Sequence, residues 1–565
     1  MTENDAPPAV FARARSALTG RAGPGRARAV ALRLAGHLAA WLPFVIGAVR
    51  SAQRGLPVVG DGAAIALRSW DALTAYGPLL GQANMLHDGA FDPGPMQFWL
   101  LAIPVHIDPL RGPEWGAALC CIIASSLAIE AARAALGAFG GLAASGFILA
   151  ALAWQPLIAA HPFWNAWFGL MFFLAALAAA LAVLSGRRRW WPVLVVTASV
   201  AAQAHLMFLL ASVALVLLTL VVALAGTIRA RAGYWWAVVG LAAGAACWAA
   251  PLIQQFTSRY PNMSLLLTSL GKEHPAGPAF GFRAIAASSW HPLWWTSSSS
   301  LEGHGIGTDI GGRAPAAGVA VLAVTAVTLI VAVRPLRSRR LAALAAISLV
   351  TSGTVLATYS HVPVPNLGIA KEDYLLVVLL PAGLLAWLTV GSAVVLAARR
   401  AAGPARMLAA RTRPLGGLST LGESAARWGP AAIGGIAIVL LGLGAWLVVA
   451  RQTRVGPVMG SAAEAEATRY AAGYIERTVP RQRIALTARA SGEGFVRNVT
   501  LGVAWVLRAE GYVPMVNHRA VRYMGTRYRY AGRPMPLLIV DLQQRAVVIQ
   551  RSQASPAWLH QRPPG

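Results

Sequence analysis

Residues 56–104 read LPVVGDGAAIALRSWDALTAYGPLLGQANMLHDGAFDPGPMQFWLLAIP, and the side of the membrane assigned to everything after them depends on how this stretch is parsed. An apolar block at 29–49 precedes it, and ten more follow at 114–135, 140–160, 165–185, 190–205, 207–227, 233–252, 315–333, 341–358, 374–397 and 430–450. Most have about the 20 residues a helix needs to cross ~30 Å of hydrocarbon. The apolar run Met96 to Leu110 could be counted as a further span, but it is short and carries Pro104, His106 and Asp108. Counting it would put every later arginine cluster outside: Arg187-Arg188-Arg189, Arg229 to Arg231, Arg334 to Arg340 and Arg399 to Arg413. Leaving it out keeps all of them in the cytoplasm, as the positive-inside rule requires. The run therefore reads as a helix against the outer membrane surface. The chain reads as an α-helical polytopic membrane protein of about 11 transmembrane helices, N-terminus inside and C-terminus outside.

Composition agrees. With 57% hydrophobic and 12% charged residues in a chain of 565, an ordinary soluble enzyme is excluded. A net charge of +27 would suggest nucleic acid in a soluble protein; here the arginines sit between apolar blocks, where they set orientation, and no nucleic-acid partner is expected. Lys272 and Lys371 are the only lysines, a bias that with the Ala and Gly content fits a GC-rich bacterial genome and a plasma-membrane location. Cys120, Cys121 and Cys247 lie inside apolar blocks, so they read as helix-packing residues. The first apolar block lacks a small-residue cleavage site after it and reads as a retained anchor.

Three regions follow. Residues 1–28 are a basic, Pro- and Gly-rich tail that reads as disordered on the cytoplasmic side. Residues 29–451 hold the spans, with outer loops at 51–112, 253–313 and 359–373. Residues 452–565 read as a small extracytoplasmic α/β domain: helical patterns over Ser461 to Thr478 and Gly492 to Glu510 alternate with apolar runs at Arg483 to Leu486 and Leu537 to Val540. The block from Trp190 to Val222 splits at Gln203-Ala204-His205, because arginines flank it at both ends.

Polar residues gather in the outer loops. Asp61 follows the first span closely, between Gly60 and Gly62, ahead of an amphipathic pattern from Ala63 to Ala75 that fits a helix along the membrane surface. An aspartate there can cap free backbone N–H groups or do chemistry, and the residues alone leave both open. Arg68, seven positions on, shares its helical face; Asp71, three further, can pair with Arg68 across a turn. Asp88 and Asp92 flank a glycine-containing turn and read first as turn formers, with a second acid or a metal ligand as the alternative. His205 stands in a polar turn between two apolar helices, facing headgroups or a cavity. Trp290 and Trp294 lie at interface depth, where tryptophan anchors helices and can also stack on a sugar. Lys371 begins the last loop's descent into the membrane, where an ammonium snorkels or meets a lipid phosphate. Arg519, Arg522, Arg527, Arg529 and Arg533 form a basic cluster suited to an acidic glycan or lipid headgroup. No tight zinc-ligand spacing appears, so no metal site is assigned.

An acid just after the first span, followed by two surface helices, resembles the GT-C superfamily of membrane glycosyltransferases, which includes protein O-mannosyltransferases, aminoarabinose transferases and mycobacterial arabinosyltransferases. The matching pieces are Gly60-Asp61-Gly62-Ala63 and Asp92-Pro93-Gly94-Pro95. Gly60 to Arg68, Gly77-Pro78-Leu79-Leu80-Gly81 and Pro93-Gly94-Pro95 resemble an actinobacterial branch whose tetrad begins with His where this chain has Asp92. The resemblance implies sugar transfer from a polyprenyl-phosphate donor to an envelope glycan or glycolipid acceptor on the outer face, with inversion. It implies Asp61 as the base that takes the acceptor hydroxyl proton, and positive charge from Arg68 and Lys371 where the phosphate leaves. His205, Trp290 and Trp294 are the further candidates for donor contact, Asp88 or Asp92 for a second acid, and a divalent cation is the one cofactor left open. Two rival classes stand beside it. A lipid or glycan transporter would carry ionisable groups in mid-span, where here only His37, Glu130 and Arg133 stand out. A non-catalytic envelope scaffold would use the basic C-terminal cluster.

Overall fold

The computed structural model describes residues 24–84, 90–230, 234–269, 274–290, 310, 313–363, 377–411, 419–453, 462–489, 493–516, 518–529, 537–543 and 546–552. Among them, nine helices are long and apolar enough to cross a membrane: Ala27–Arg54, Gly112–Leu136, Asn165–Leu184, Leu206–Ala225, Trp235–Thr257, Pro315–Val333, Arg339–Ser360, Leu379–Arg400 and Gly435–Gln452. They make the chain a multi-pass membrane protein. The blocks expected at 140–160 and 190–205 form shorter helices, Ala138–Trp154 with 17 residues and Trp191–Ala204 with 14. Pro156 ends the first early, because the residue before a proline is driven to extended backbone, and Gln155 has ψ 93°. Asn165–Leu184 is the axis of the bundle, apolar all round and buried except at Ala178.

Arginines of three of the clusters meet at one end of the bundle. Arg187 donates to the Ala134 carbonyl at 3.1 Å, Arg339 to that of Leu184 at 2.8 Å, and Arg400 to that of Pro335 at 3.1 Å. These cations sit where helix C-termini leave carbonyls unbonded. One turn away Glu130 accepts from Arg33 at 2.7 Å, from His37 at 3.0 Å and from Arg133 at 2.8 Å, so the ionisable residues noted in the spans form one cluster. At the opposite end Arg451 donates to Ala153 at 2.5 Å and Gln452 to Pro43 at 3.1 Å.

Of the two helices in the first loop, one matches its expectation and one does not. Met96–Ile107 has 12 residues, too few to span, and exposes Trp99, Leu100, Ile103 and Ile107 as an apolar face suited to hydrocarbon. Gly60–Asp71 does not lie on a surface: nine of its residues are buried. Its cover comes from the other end of the sequence, where helix Glu493–Ala509 packs on it in addition to Met96–Ile107.

The C-terminal segment builds a four-stranded sheet in the order β2-β1-β3-β4. Strands β1 (Arg483–Arg489), β2 (Val513–Met515) and β3 (Leu537–Gln543) pair in parallel through β1, and β4 (Ala546–Ser552) closes antiparallel on β3. Strands β1 and β3 fall on the apolar runs read from the sequence; β2 and β4 are additional. Helices Ala462–Thr478 and Glu493–Ala509 pack together beside the sheet, and the Tyr512 hydroxyl donates to the Val479 carbonyl at 2.7 Å.

Candidate active site

The two glycines around Asp61 are steric requirements. Gly60 has φ +54°, and a Cβ on it would stand 2.7 Å from Oδ1 of Asn498, a residue of the covering helix. A Cβ on Gly62 would meet the Phe163 ring at 2.5 Å. Only glycine lets the helix start this close to both. The N-cap is Val59, in extended backbone and without a side-chain cap bond, while Asp61 already lies in the first turn. Asp61 is therefore not the cap. Among the described residues no group hydrogen-bonds or ion-pairs its carboxylate, which is partly exposed. A reachable, unengaged carboxylate is what a general base requires.

Asp92, read first as a turn former, is a buried acceptor that ties three segments together. At 2% exposure it accepts from the Leu206 backbone N–H at 3.0 Å and Asn84 Nδ2 at 3.3 Å on Oδ1, and from Asn165 Nδ2 at 2.9 Å on Oδ2. Its backbone pairs with Gly81 and Gln82. The Gly77–Gly81 and Asp92–Pro95 motifs are thereby laced to each other and, through Leu206, to the turn at His205. Gly94 leaves room for the Gln203 side chain, whose Oε1 would be 2.2 Å from a Cβ. Burial pushes the Asp92 carboxyl up to about 7 against the pull of three hydrogen bonds, and the Asp61 charge pushes it further the same way.

That shift has a signed consequence. Unfolded, Asp92 releases its proton near pH ~4, whereas the folded protein holds the proton up to about 7. Between those values the folded state binds more protons, so stability falls as pH rises and levels off above the window. The apparent melting temperature in detergent is expected to decline from pH ~4 to ~7, and Asp92→Asn to flatten that decline. An unchanged slope in Asp92→Asn would assign it to other groups.

His205 supports this arrangement. Its Nδ1 accepts from the Met207 N–H at 3.4 Å, capping the one-turn helix Leu206–Phe208 that presents Leu206 to Asp92. Burial pushes its pKa down to about 4, so the ring is neutral at pH 7 and brings no charge to a phosphate.

Arg68 reaches a different feature, a cavity of about 410 Å³. One wall is Arg68, Tyr76 and the Gly77–Leu80 segment; the other is Arg522, Gly525 and Arg529 of the C-terminal segment. Among the described residues no acidic side chain lines it. Arg68 is half-buried, and among the described residues its guanidinium has no hydrogen-bond acceptor. Burial pushes its pKa down, partly offset by Asp71 and Tyr528. Along the helix Arg68 stands ~10 Å from Asp61.

The pairing of Asp71 with Arg68 is replaced by a long-range one. Asp71 Oδ1 accepts from Arg527 Nη1 at 3.0 Å and from the Tyr528 hydroxyl at 3.2 Å. Arg527 also lies 4.9 Å from the Tyr76 ring centre. The i,i+3 spacing permits the local pair, but the C-terminal segment brings its own cation to Asp71 and leaves Arg68 for the cavity. Asn84, Asn165, Asn498, Arg527 and Tyr528 complete this region. The three asparagines carry no sequence signal, and the other two lay inside what read as a surface basic cluster.

Lys371, Trp294 and Asp88 lie outside the described residues, as do the first 23 residues and Arg533. Trp290 ends helix Pro278–Trp290, with its side chain outside the described set, as is that of Arg519. Among the described residues no three His, Cys, Asp or Glu side chains gather into a metal-holding group.

Fold and site together define a class: a multi-pass membrane protein whose first loop and C-terminal segment enclose a shared polar site. Similar solved structures are two crystal structures of ArnT from Cupriavidus metallidurans. The one bound to undecaprenyl phosphate has 16% identity and a TM-score of 0.49, over 90% of this chain and 93% of that one. The apo state has 14% identity and a TM-score of 0.37, over 90% and 92%. Overlap this loose carries no weight for chemistry. No family model and no curated protein matches the chain.

Proposed function

We propose that the protein is a membrane glycosyltransferase of GT-C type, transferring a sugar from a polyprenyl-phosphate donor to a cell-envelope acceptor on the outer face of a bacterial plasma membrane. The observation that carries this reading is the single helix Gly60–Asp71, with a carboxylate in its first turn that no described residue engages and, ~10 Å along, an arginine facing a cavity that no described acidic side chain lines. Asp61 takes the acceptor hydroxyl proton as the oxygen bonds to the anomeric carbon from the face opposite the phosphate. The carbon–oxygen bond to phosphate breaks with its electron pair, and the carrier phosphate leaves with charge that Arg68 offsets. A transporter is less well supported, because Arg33, His37, Glu130 and Arg133 collect at one end of the bundle rather than midway.

The test is to delete the gene, restore wild type or Asp61→Ala at matched level, and compare envelope sugar linkages. Restoration by wild type alone supports transfer and names the product; restoration by both makes Asp61 structural and favours a scaffold. A reporter fused after Gly565 is expected to be active outside the membrane, and activity confined to the cytoplasm would overturn the orientation.

A further inference from the structure

We infer that the arginine-bearing end of the bundle holds an anionic phospholipid, with one acyl chain in a groove between five helices and the phosphate meeting Arg340 at the groove's end. This end lies opposite Asp61. Helix Ala27–Arg54 runs from Arg33, beside Glu130, to Arg54, just ahead of Gly60–Asp71.

The groove is built from helices that pack pairwise in the order Ala138–Trp154, Gly112–Leu136, Asn165–Leu184, Arg339–Ser360 and Leu379–Arg400. Ala132, Phe147, Leu177, Leu344 and Leu388 stand in its walls, and no described side chain lining it is polar. Ala178 lies in it too, the one residue of the axis helix that is not buried. The axis of the bundle is thus uncovered at this groove. Along that helix the lining runs from Leu174 to Leu181, ~10 Å, within the ~15 Å depth of one leaflet's hydrocarbon. An apolar void forfeits dispersion contacts on its open side, and a lipid chain restores them. The space is narrow, about 70 Å³, which suits one unbranched chain better than a methyl-branched prenyl chain.

Charge decides the headgroup. Arg340 stands four positions before Leu344 and seven before Ile347, so it shares their face of the helix and lies one turn beyond the groove. It is exposed, and among the described residues no acceptor engages it. Arg399, also exposed, is eleven positions past Leu388, three turns along the same side of its helix. These two helix ends are tied together by Arg400, which donates to the Pro335 carbonyl at 3.1 Å. Arg339 donates to the Leu184 carbonyl at 2.8 Å, one turn past Leu181, and so joins the same end to the axis helix. Four of the five helices come from stretches, 131–272, 310–371 and 374–422, that contain no Asp or Glu. The fifth brings Glu130, already held by Arg33, His37 and Arg133. Phosphatidylcholine carries its own cation and phosphatidylglycerol does not, so arginines at headgroup depth distinguish the two.

The experiment is native mass spectrometry of the full chain in detergent, titrated with dioleoyl phosphatidylglycerol, dioleoyl phosphatidylcholine or farnesyl phosphate. One phosphatidylglycerol is expected to bind, at a concentration at least five-fold below that for phosphatidylcholine. Arg340→Gln should cut this preference about five-fold, the worth of one arginine near an anionic headgroup, and Arg340→Gln/Arg399→Gln should abolish it. Ala178→Leu, which fills the groove, should weaken both phospholipids alike. Leu241→Phe, at an exposed apolar position on helix Trp235–Thr257, should change nothing. The inference is overturned if wild type binds both phospholipids equally, or if Arg340→Gln and the double variant keep the preference. Unchanged binding by a folded Ala178→Leu would also overturn it, by removing the groove from the site. Displacement of phosphatidylglycerol by farnesyl phosphate at equal concentration would make the occupant a prenyl chain instead. Asp61→Asn should bind as wild type does, so this site stands or falls apart from the transferase reading.

Discussion

Asp61→Asn is expected to cut sugar transfer by about 10²–10⁴-fold while leaving the protein folded. The substitution is nearly isosteric and removes only the ability to accept a proton. No hydrogen bond or ion pair to this carboxylate is lost among the described residues, and the cap position belongs to Val59. The close approaches that shape the turn involve Gly60 and Gly62, which are unchanged. Stability should therefore stay within the ordinary scatter of a surface substitution, about ±0.5 kcal/mol. The loss should appear in kcat with KM nearly constant, as for a group that acts only in the transition state. Turnover of purified Asp61→Asn in proteoliposomes decides the matter. Activity within a few-fold of wild type would remove Asp61 as the base. Asp92 would not be its obvious replacement, since it is buried and bonded by three donors.

How much of this was legible beforehand follows from range. The bundle rests on local signals: apolar length, arginine position, and the polar turn at Gln203-Ala204-His205. The parsing of Met96–Ile107 as non-spanning came from charge parity and a 12-residue helix agrees with it. Gly60-Asp61-Gly62 was visible as a motif, but why glycine flanks Asp61 was not, because Asn498 lies more than 400 positions away. The same limit explains Gly60–Asp71. Its amphipathic pattern fits a membrane surface and a covering protein helix equally well, and only the long-range contact with Glu493–Ala509 distinguishes them. Asp92 read as a turn former because the turn is local, whereas its donors Asn165 and Leu206 come from two other helical segments. The C-terminal arginines read as a surface cluster because their sequence spacing carries nothing about Asp71.

Breaking the Asp71–Arg527 pair tests whether the C-terminal segment is held to the first loop by that contact. Asp71→Ala is expected to cost about 3–5 kcal/mol, because it leaves Arg527 without its carboxylate and the Tyr528 hydroxyl without an acceptor in a buried setting. Arg527→Gln should cost less. Burial already pushes the Asp71 carboxyl up, with Arg527 its main opposing charge, so removing that charge lets the acid take a proton rather than remain an unpaired anion. The Arg527→Gln defect should therefore shrink as pH falls, while the Asp71→Ala defect should not. An internal comparison is the exposed Arg481–Glu510 pair at 3.4 Å, where Arg481→Gln should cost no more than about 1 kcal/mol. Melting in detergent gives the magnitudes, and limited proteolysis of the C-terminal segment locates the opening. A double substitution should recover part of the summed loss, with a coupling of about 0.5–3 kcal/mol for residues in contact. Strict additivity, or an Asp71→Ala defect no larger than that of Arg481→Gln, would show that the segment is held by apolar packing of Glu493–Ala509 and that the ion pair contributes little.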